Sequence, residues 1–123
     1  MVNKTASRKF VCDLEVVIEE PGRSPIKGRM YDLSAAGISL FAQRPIATQT
    51  EIGLGLRLVL EWAESDTLPV AGRVLWCTPV GEGFQIGVAF NQMAVSQWQR
   101  LDVLLRFLRG ELSLEGSKLP GRR

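Results

Sequence analysis

Phe10-Val11-Cys12-Asp13-Leu14-Glu15-Val16-Val17-Ile18-Glu19-Glu20 is the stretch that decides the fold. Phe10, Cys12, Leu14, Val16 and Ile18 fall on one side of an extended chain, and Asp13, Glu15 and Glu19 on the other. That period of two predicts a half-buried β-strand over 10–20. Pro21-Gly22-Arg23-Ser24-Pro25 is dense in turn formers and ends it. The short connection makes the next run, Ile26 to Leu33, an antiparallel neighbour. Ser34 to Gly37 bends the chain, and Ile38 to Ala42 resumes as a third strand before Pro45.

Ile52 to Trp62 carries one apolar face of Ile52, Leu54, Leu56, Leu58, Leu60 and Trp62. Gly53 and Gly55 stand on its other face, where glycine weakens a strand unless something approaches closely. A polar loop over 63–68 leads to a fifth strand, Val70 to Cys77. The turn Gly81-Glu82-Gly83 then joins it to a sixth, Phe84 to Phe90, as a hairpin. Past that point the period changes. Trp98, Leu101, Leu105, Leu108 and Leu112 recur at three and four, with Leu104 alongside, and Ser96 with Gln99 offers a capping-box start. Six strands with no helix between them, then one helix, predict a mainly β fold: a small six-stranded antiparallel β-barrel closed by a C-terminal α-helix.

The 123 residues suit one domain, and 46% apolar residues are enough for a single core. We divide the chain into a basic arm over 1–9, the barrel and helix over 10–112, and a tail over 113–123 rich in Gly, Pro and charge. A net charge of +2 with scattered lysines and arginines argues against nucleic acid as a partner. Apolar stretches are too short to cross a bilayer, so no membrane insertion is expected, and no secretory signal opens the chain. Cys12 and Cys77 lie far apart without metal-ligand spacing. We expect reduced thiols in a cytoplasmic protein.

Histidine is absent, which removes its acid–base chemistry, Ser-His-Asp triads and the commonest metal ligand. Phosphate-loop and dinucleotide fingerprints are missing too, and the acidic residues do not pair as catalysts. No metal, cofactor or enzymatic activity is expected. The composition is that of a binding protein.

Two clusters could bind. Asp32-Leu33-Ser34-Ala35-Ala36-Gly37 sets a carboxylate, a hydroxyl and a glycine at one bend. Turn chemistry alone accounts for that spacing, since Asp and Ser hydroxyls and carboxylates bond to nearby backbone. The same groups can also hold a ligand: a carboxylate accepts two hydrogen bonds from a guanine N1 and N2 edge, and Ser34 with backbone N–H groups can hold a phosphate oxygen. Arg8-Lys9, just before the first strand, reads either as a solvated arm or as phosphate capture by a guanidinium that can also stack on a purine.

In combination the clusters resemble the PilZ domain, the bacterial receptor module for cyclic di-GMP. The family carries R-R-[FY]-x-R before its first strand and [DN]-x-S-x-x-G between its second and third. The matching residues here are Arg8-Lys9-Phe10-Val11-Cys12 and Asp32-Leu33-Ser34-Ala35-Ala36-Gly37. Gly72-Arg73-Val74-Leu75-Trp76 and Gly87-Val88-Ala89-Phe90 are similar to later family segments. The resemblance implies a split barrel with cyclic di-GMP as ligand, bound by Arg8, Lys9, Asp32, Ser34 and Gly37. It also implies a protein partner in motility or exopolysaccharide control.

One motif position is degenerate. Cys12 stands where the family has its second arginine, and a thiol offers no charge and only a weak donor. Losing one charge-assisted bidentate contact removes ~1.5–3 kcal/mol, about ten- to hundredfold in affinity. Pairing Lys4 with Arg8 would restore the basic spacing but detach the motif from Phe10. Two functions therefore stay open: a cyclic di-GMP receptor of weakened affinity, or an adaptor that has lost nucleotide binding and works through protein contacts. Val103 and Phe107 fall opposite the helix's core stripe and are a candidate partner surface for a monomer or weak homodimer.

Overall fold

The computed structural model describes residues 12–60 and 66–110. Its elements are β1 (Cys12–Glu19), β2 (Ile26–Leu33), β3 (Gly37–Ala42), β4 (Glu51–Leu60), β5 (Leu68–Val80), β6 (Gly83–Phe90) and α1 (Val95–Leu108). All six strands pair antiparallel in a closed ring, β1-β2-β3-β6-β5-β4. The sequence expectation of a six-stranded barrel followed by a helix is met. Closure removes the sheet edges that a flat sheet of this length would expose.

The alternating residues meet inside. Register pairs Leu14 with Leu58, Val16 with Leu56 and Ile18 with Leu54, and all six side chains are buried. Across the ring Ile38, Leu40, Val74, Ile86 and Val88 complete the lining. Burying each such side chain contributes roughly 1.5–3 kcal/mol. On β4, Gly55 answers the question its sequence raised, because a Cβ there would press on the Thr67 methyl at 3.0 Å. Gly53 shows only ordinary neighbours.

Strands β5 and β6 extend beyond the sequence reading. β5 runs to Val80, which pairs with Gly83 across a two-residue loop. Gly81 takes φ +59° there, a left-handed value that a tight hairpin favours and glycine adopts at no steric cost. Once the loop is that tight, pairing continues to the last residues of both strands.

Helix α1 starts earlier than Ser96. The cap is Ala94, whose N–H donates to Gln97 Oε1 at 2.9 Å. Gln97 Nε2 in turn donates to the Pro69 carbonyl at 2.7 Å, and an Arg100 guanidinium nitrogen to that of Thr67 at 3.1 Å. These tertiary anchors to the start of β5 choose the helix start over the local Ser96/Gln99 pair. Leu101, Leu104 and Leu105 are buried, as the three-and-four spacing predicts, whereas Trp98 of the same stripe is 43% exposed. Gly110, at φ +83°, turns the chain out of the helix, and its N–H bonds to the Phe107 carbonyl. Leu112, the tail over 113–123 and the arm over 1–9 lie outside the described residues.

Truncating the fully buried Leu56 to alanine leaves a cavity that paired strands cannot collapse around. The expected cost is roughly 2–5 kcal/mol. Urea denaturation checks it, as a lower midpoint at an unchanged slope.

Candidate functional site

The bend after β2 is built by its serine. Ser34 Oγ accepts the N–H of Ala36 at 3.2 Å and of Gly37 at 3.3 Å, while the Ser34 N–H donates to the Gly37 carbonyl at 2.9 Å. The hydroxyl is thus engaged by its own loop, which is the turn chemistry its spacing predicts. β6 locks the bend from the side through the Phe90 N–H, bonded to the Ala36 carbonyl at 2.9 Å. Gly37 is required by this neighbour rather than by its own backbone angle. A Cβ there would collide with the Val88 carbonyl oxygen of the paired strand.

Asp32 leaves the barrel on the outside. β2 would alternate Gly28, Met30 and then Asp32 toward the core, but a bulge lies between Met30 and Asp32 in its ladder with β3. The extra residue is Tyr31. Beyond it the faces exchange: Leu33 turns inward against the core, and Asp32 is exposed opposite Ser39. A second bulge does the same on β5, between Val74 and Trp76. Val74 is wholly buried, Leu75 and Trp76 are both exposed, and Cys77 turns back toward the core. The loop before β4 holds the bulge in place. The Gln49 N–H donates to the Val74 carbonyl at 2.7 Å, and the Val74 N–H to that of Thr50 at 3.0 Å.

The two bulges bring their displaced residues into one row. Register runs from Asp32 to Ser39, from Ser39 to Gly87 and from Gly87 to Trp76, across β2, β3, β6 and β5. At the usual strand spacing the row spans about 14 Å. The Trp76 indole lies over Gly87, where a Cβ would strike the ring, and remains 40% exposed. A carboxylate at one end and an indole at the other, over a floor of glycine and serine, can bind a planar ligand by its edge and its face. Trp76 is not among the binding residues that the sequence predicts, although it ends the family-like segment Gly72 to Trp76. Alternation from Val70 and Val74 points it inward, and only the Gly87 opposite signals a side chain folded over the strand.

Arg8 and Lys9 lie outside the described residues. Cys12 opens β1 and pairs with Leu60. Antiparallel pairing of β1 with β2 sets the beginning of β1 and the end of β2 at one end of the barrel. On the helix Val103 is half-buried and Phe107 packs partly against the core. The exposed large apolar residues near the helix start are Val95 and Trp98. Trp98 borders a groove of 520 Å³ with Ala35, Ala36, Phe90, Asn91 and Met93, so it adjoins the Ser34 bend. Among the described residues no cluster of His, Cys, Asp and Glu could hold a metal ion. Among them no helix is long and apolar enough to cross a membrane.

Two carboxylates on the outer surface are held ionised. Glu51 accepts from Asn91 at 2.9 Å and from Arg73 at 2.8 Å, and these bonds hold its carboxyl below the usual range. Glu15 is lowered in the same way by Arg57 and then Lys27.

A closed antiparallel barrel followed by one helix, and a serine-braced bend beside an outward polar and aromatic row, defines the class of small β-barrel modules. The family model of the PilZ domain matches residues 3–109, and the chain belongs to that family. Among solved structures it is similar to MrkH of K. pneumonia in its c-di-GMP complex, with a TM-score of 0.62 and 16% identity. That match covers 80% of this chain and 48% of MrkH. It is similar to the apo form as well, with a TM-score of 0.59, 16% identity and coverage of 80% and 47%. The chain therefore spans about half the length of MrkH. No curated protein matches it in sequence.

Replacing Gly37 with alanine should force β3 from β6 at the Val88 carbonyl. The expected loss is about 1–3 kcal/mol or more, with amide exchange quickened at Phe90 and Ala36. The pH dependence follows from the carboxylates. A depressed carboxyl adds stability above its unfolded value, 4.5, and that stability is lost as pH falls through the folded value. Melting temperature should drop between pH 5 and pH 3, taken as about the range of carboxylate titration. Glu51→Gln should drop less over the same interval.

Proposed function

We propose that this chain is a cytoplasmic signalling module that binds cyclic di-GMP and relays it to a protein partner in motility or exopolysaccharide control. The observation that carries the reading is the outward row Asp32–Ser39–Gly87–Trp76 beside the Ser34 bend. Asp32 accepts from a guanine edge, Trp76 offers its face to a purine, and the braced bend presents backbone to phosphate. Gly37 keeps the bend flush with β6. Arg8 clamps phosphate and Lys9 adds charge. This is binding without turnover, in keeping with a chain that has no histidine.

Relay runs through the other side of the bend. Ala35 and Ala36 line the groove under Trp98, so a ligand that stiffens the bend alters a surface a partner can touch. We assign the partner contact to Val95 and Trp98, whose exposure exceeds that of Val103 and Phe107.

Cys12 favours a second reading, in which the module no longer binds nucleotide and serves as an adaptor. Isothermal titration with cyclic di-GMP separates the two. Saturable heat that Asp32→Ala abolishes supports the receptor, and a flat trace at high micromolar ligand leaves the adaptor.

A further inference from the structure

The structure assigns to Arg29 the phosphate contact that Cys12 cannot make, an inference that rests on the cyclic di-GMP reading above. Arg29 points outward from β2, three residues before Asp32, and stands in register with Phe41 on one side and Glu15 on the other. Its natural neutraliser is already taken. Glu15 is bonded by Arg57 and by Lys27, the latter at 3.2 Å, and among the described residues Arg29 makes no ion pair. One carboxylate thus faces three cations, and the positive charge left over is on the guanidinium nearest the bend.

The surroundings suit a nucleotide. Arg29, Lys27, Glu15, Phe41 and Gln43 line a cleft of 320 Å³ on the outer face of β1, β2 and β3. The bulged Tyr31, 63% exposed, meets Phe41 edge to face with ring centres 5.5 Å apart. An arginine beside an exposed aromatic pair offers a phosphate a planar fork and a base a stacking edge. Arg29 lies about 10 Å from Asp32 along the strand, a distance a long side chain and a two-base ligand together bridge. β1 and β2 are neighbours, and Arg29 lies opposite Glu15, three residues along β1 from Cys12.

The test uses the full chain and five proteins: parent, Arg29→Ala, Arg29→Lys, Cys12→Arg, and Arg29→Ala combined with Cys12→Arg. Cyclic di-GMP is titrated calorimetrically into each, with melting temperature as the folding control for an exposed position. Arg29→Ala should weaken binding about tenfold or more. Arg29→Lys should recover little, since an ammonium lacks the fork. Adding Cys12→Arg to Arg29→Ala should restore affinity to near the parent's, which a merely structural role for Arg29 would not allow. Parent affinity unmoved by Arg29→Ala overturns the inference. So does a parent that fails to bind while Cys12→Arg binds, an outcome that leaves the receptor site standing. If neither binds, the cyclic di-GMP reading itself fails and the inference with it.

Discussion

Side chains in a pleated strand alternate, so one inserted residue sends everything beyond it to the opposite face. This barrel uses that constraint twice, at Tyr31 and at Leu75. Each insertion turns one residue out of the core-facing series, Asp32 on β2 and Trp76 on β5. Each then restores inward packing one position later, with Leu33 and Cys77 against the core. A fold without the bulges would bury a carboxylate without a partner, at several kcal/mol. The same two insertions that spare the core therefore create the outer row.

Glycines set how tightly that row is packed. Gly37 lets β3 lie against the Val88 carbonyl, and Gly87 lets an indole lie flat across β6. A Cβ at Gly72 would stand only 2.6 Å from the Val88 side chain and 2.7 Å from the Ala89 carbonyl oxygen. Side chains at these positions would spread the strands on which Asp32 and Trp76 are mounted. The bend is held by Ser34 on one side and by the Phe90 N–H on the other. The candidate site is therefore fixed by the ladder of the barrel, and its geometry is tied to fold stability.

Charge on the outer surface is arranged so that acids are shared and some basic groups are left over. Glu15 serves Arg57 and Lys27, and Glu51 serves Arg73 and Asn91. These exposed pairs add little to stability in water. Their consequence is local: around Glu15 three cations, Arg57, Lys27 and Arg29, meet one carboxylate.

How much was legible in advance follows from which signals are local. Period-two alternation in 14–18 and 52–58, the turn formers at 21–25 and 81–83, and the switch to a three-and-four period after Phe90 all act over a few residues. They determined six strands, one helix and most of the core. The motif from Asp32 to Gly37 likewise announced a bend. What the tertiary structure decided was everything depending on partners distant in sequence: closure of the ring, the two bulges, the helix start at Ala94 through Gln97 and Pro69, and the half-burial of Phe107. A bulge is set by the register of the neighbouring strand, and a cap by what the helix lands on. Neither is written in the residues that carry it, so Trp76 joined the outer row that Asp32 begins only when the strands were paired.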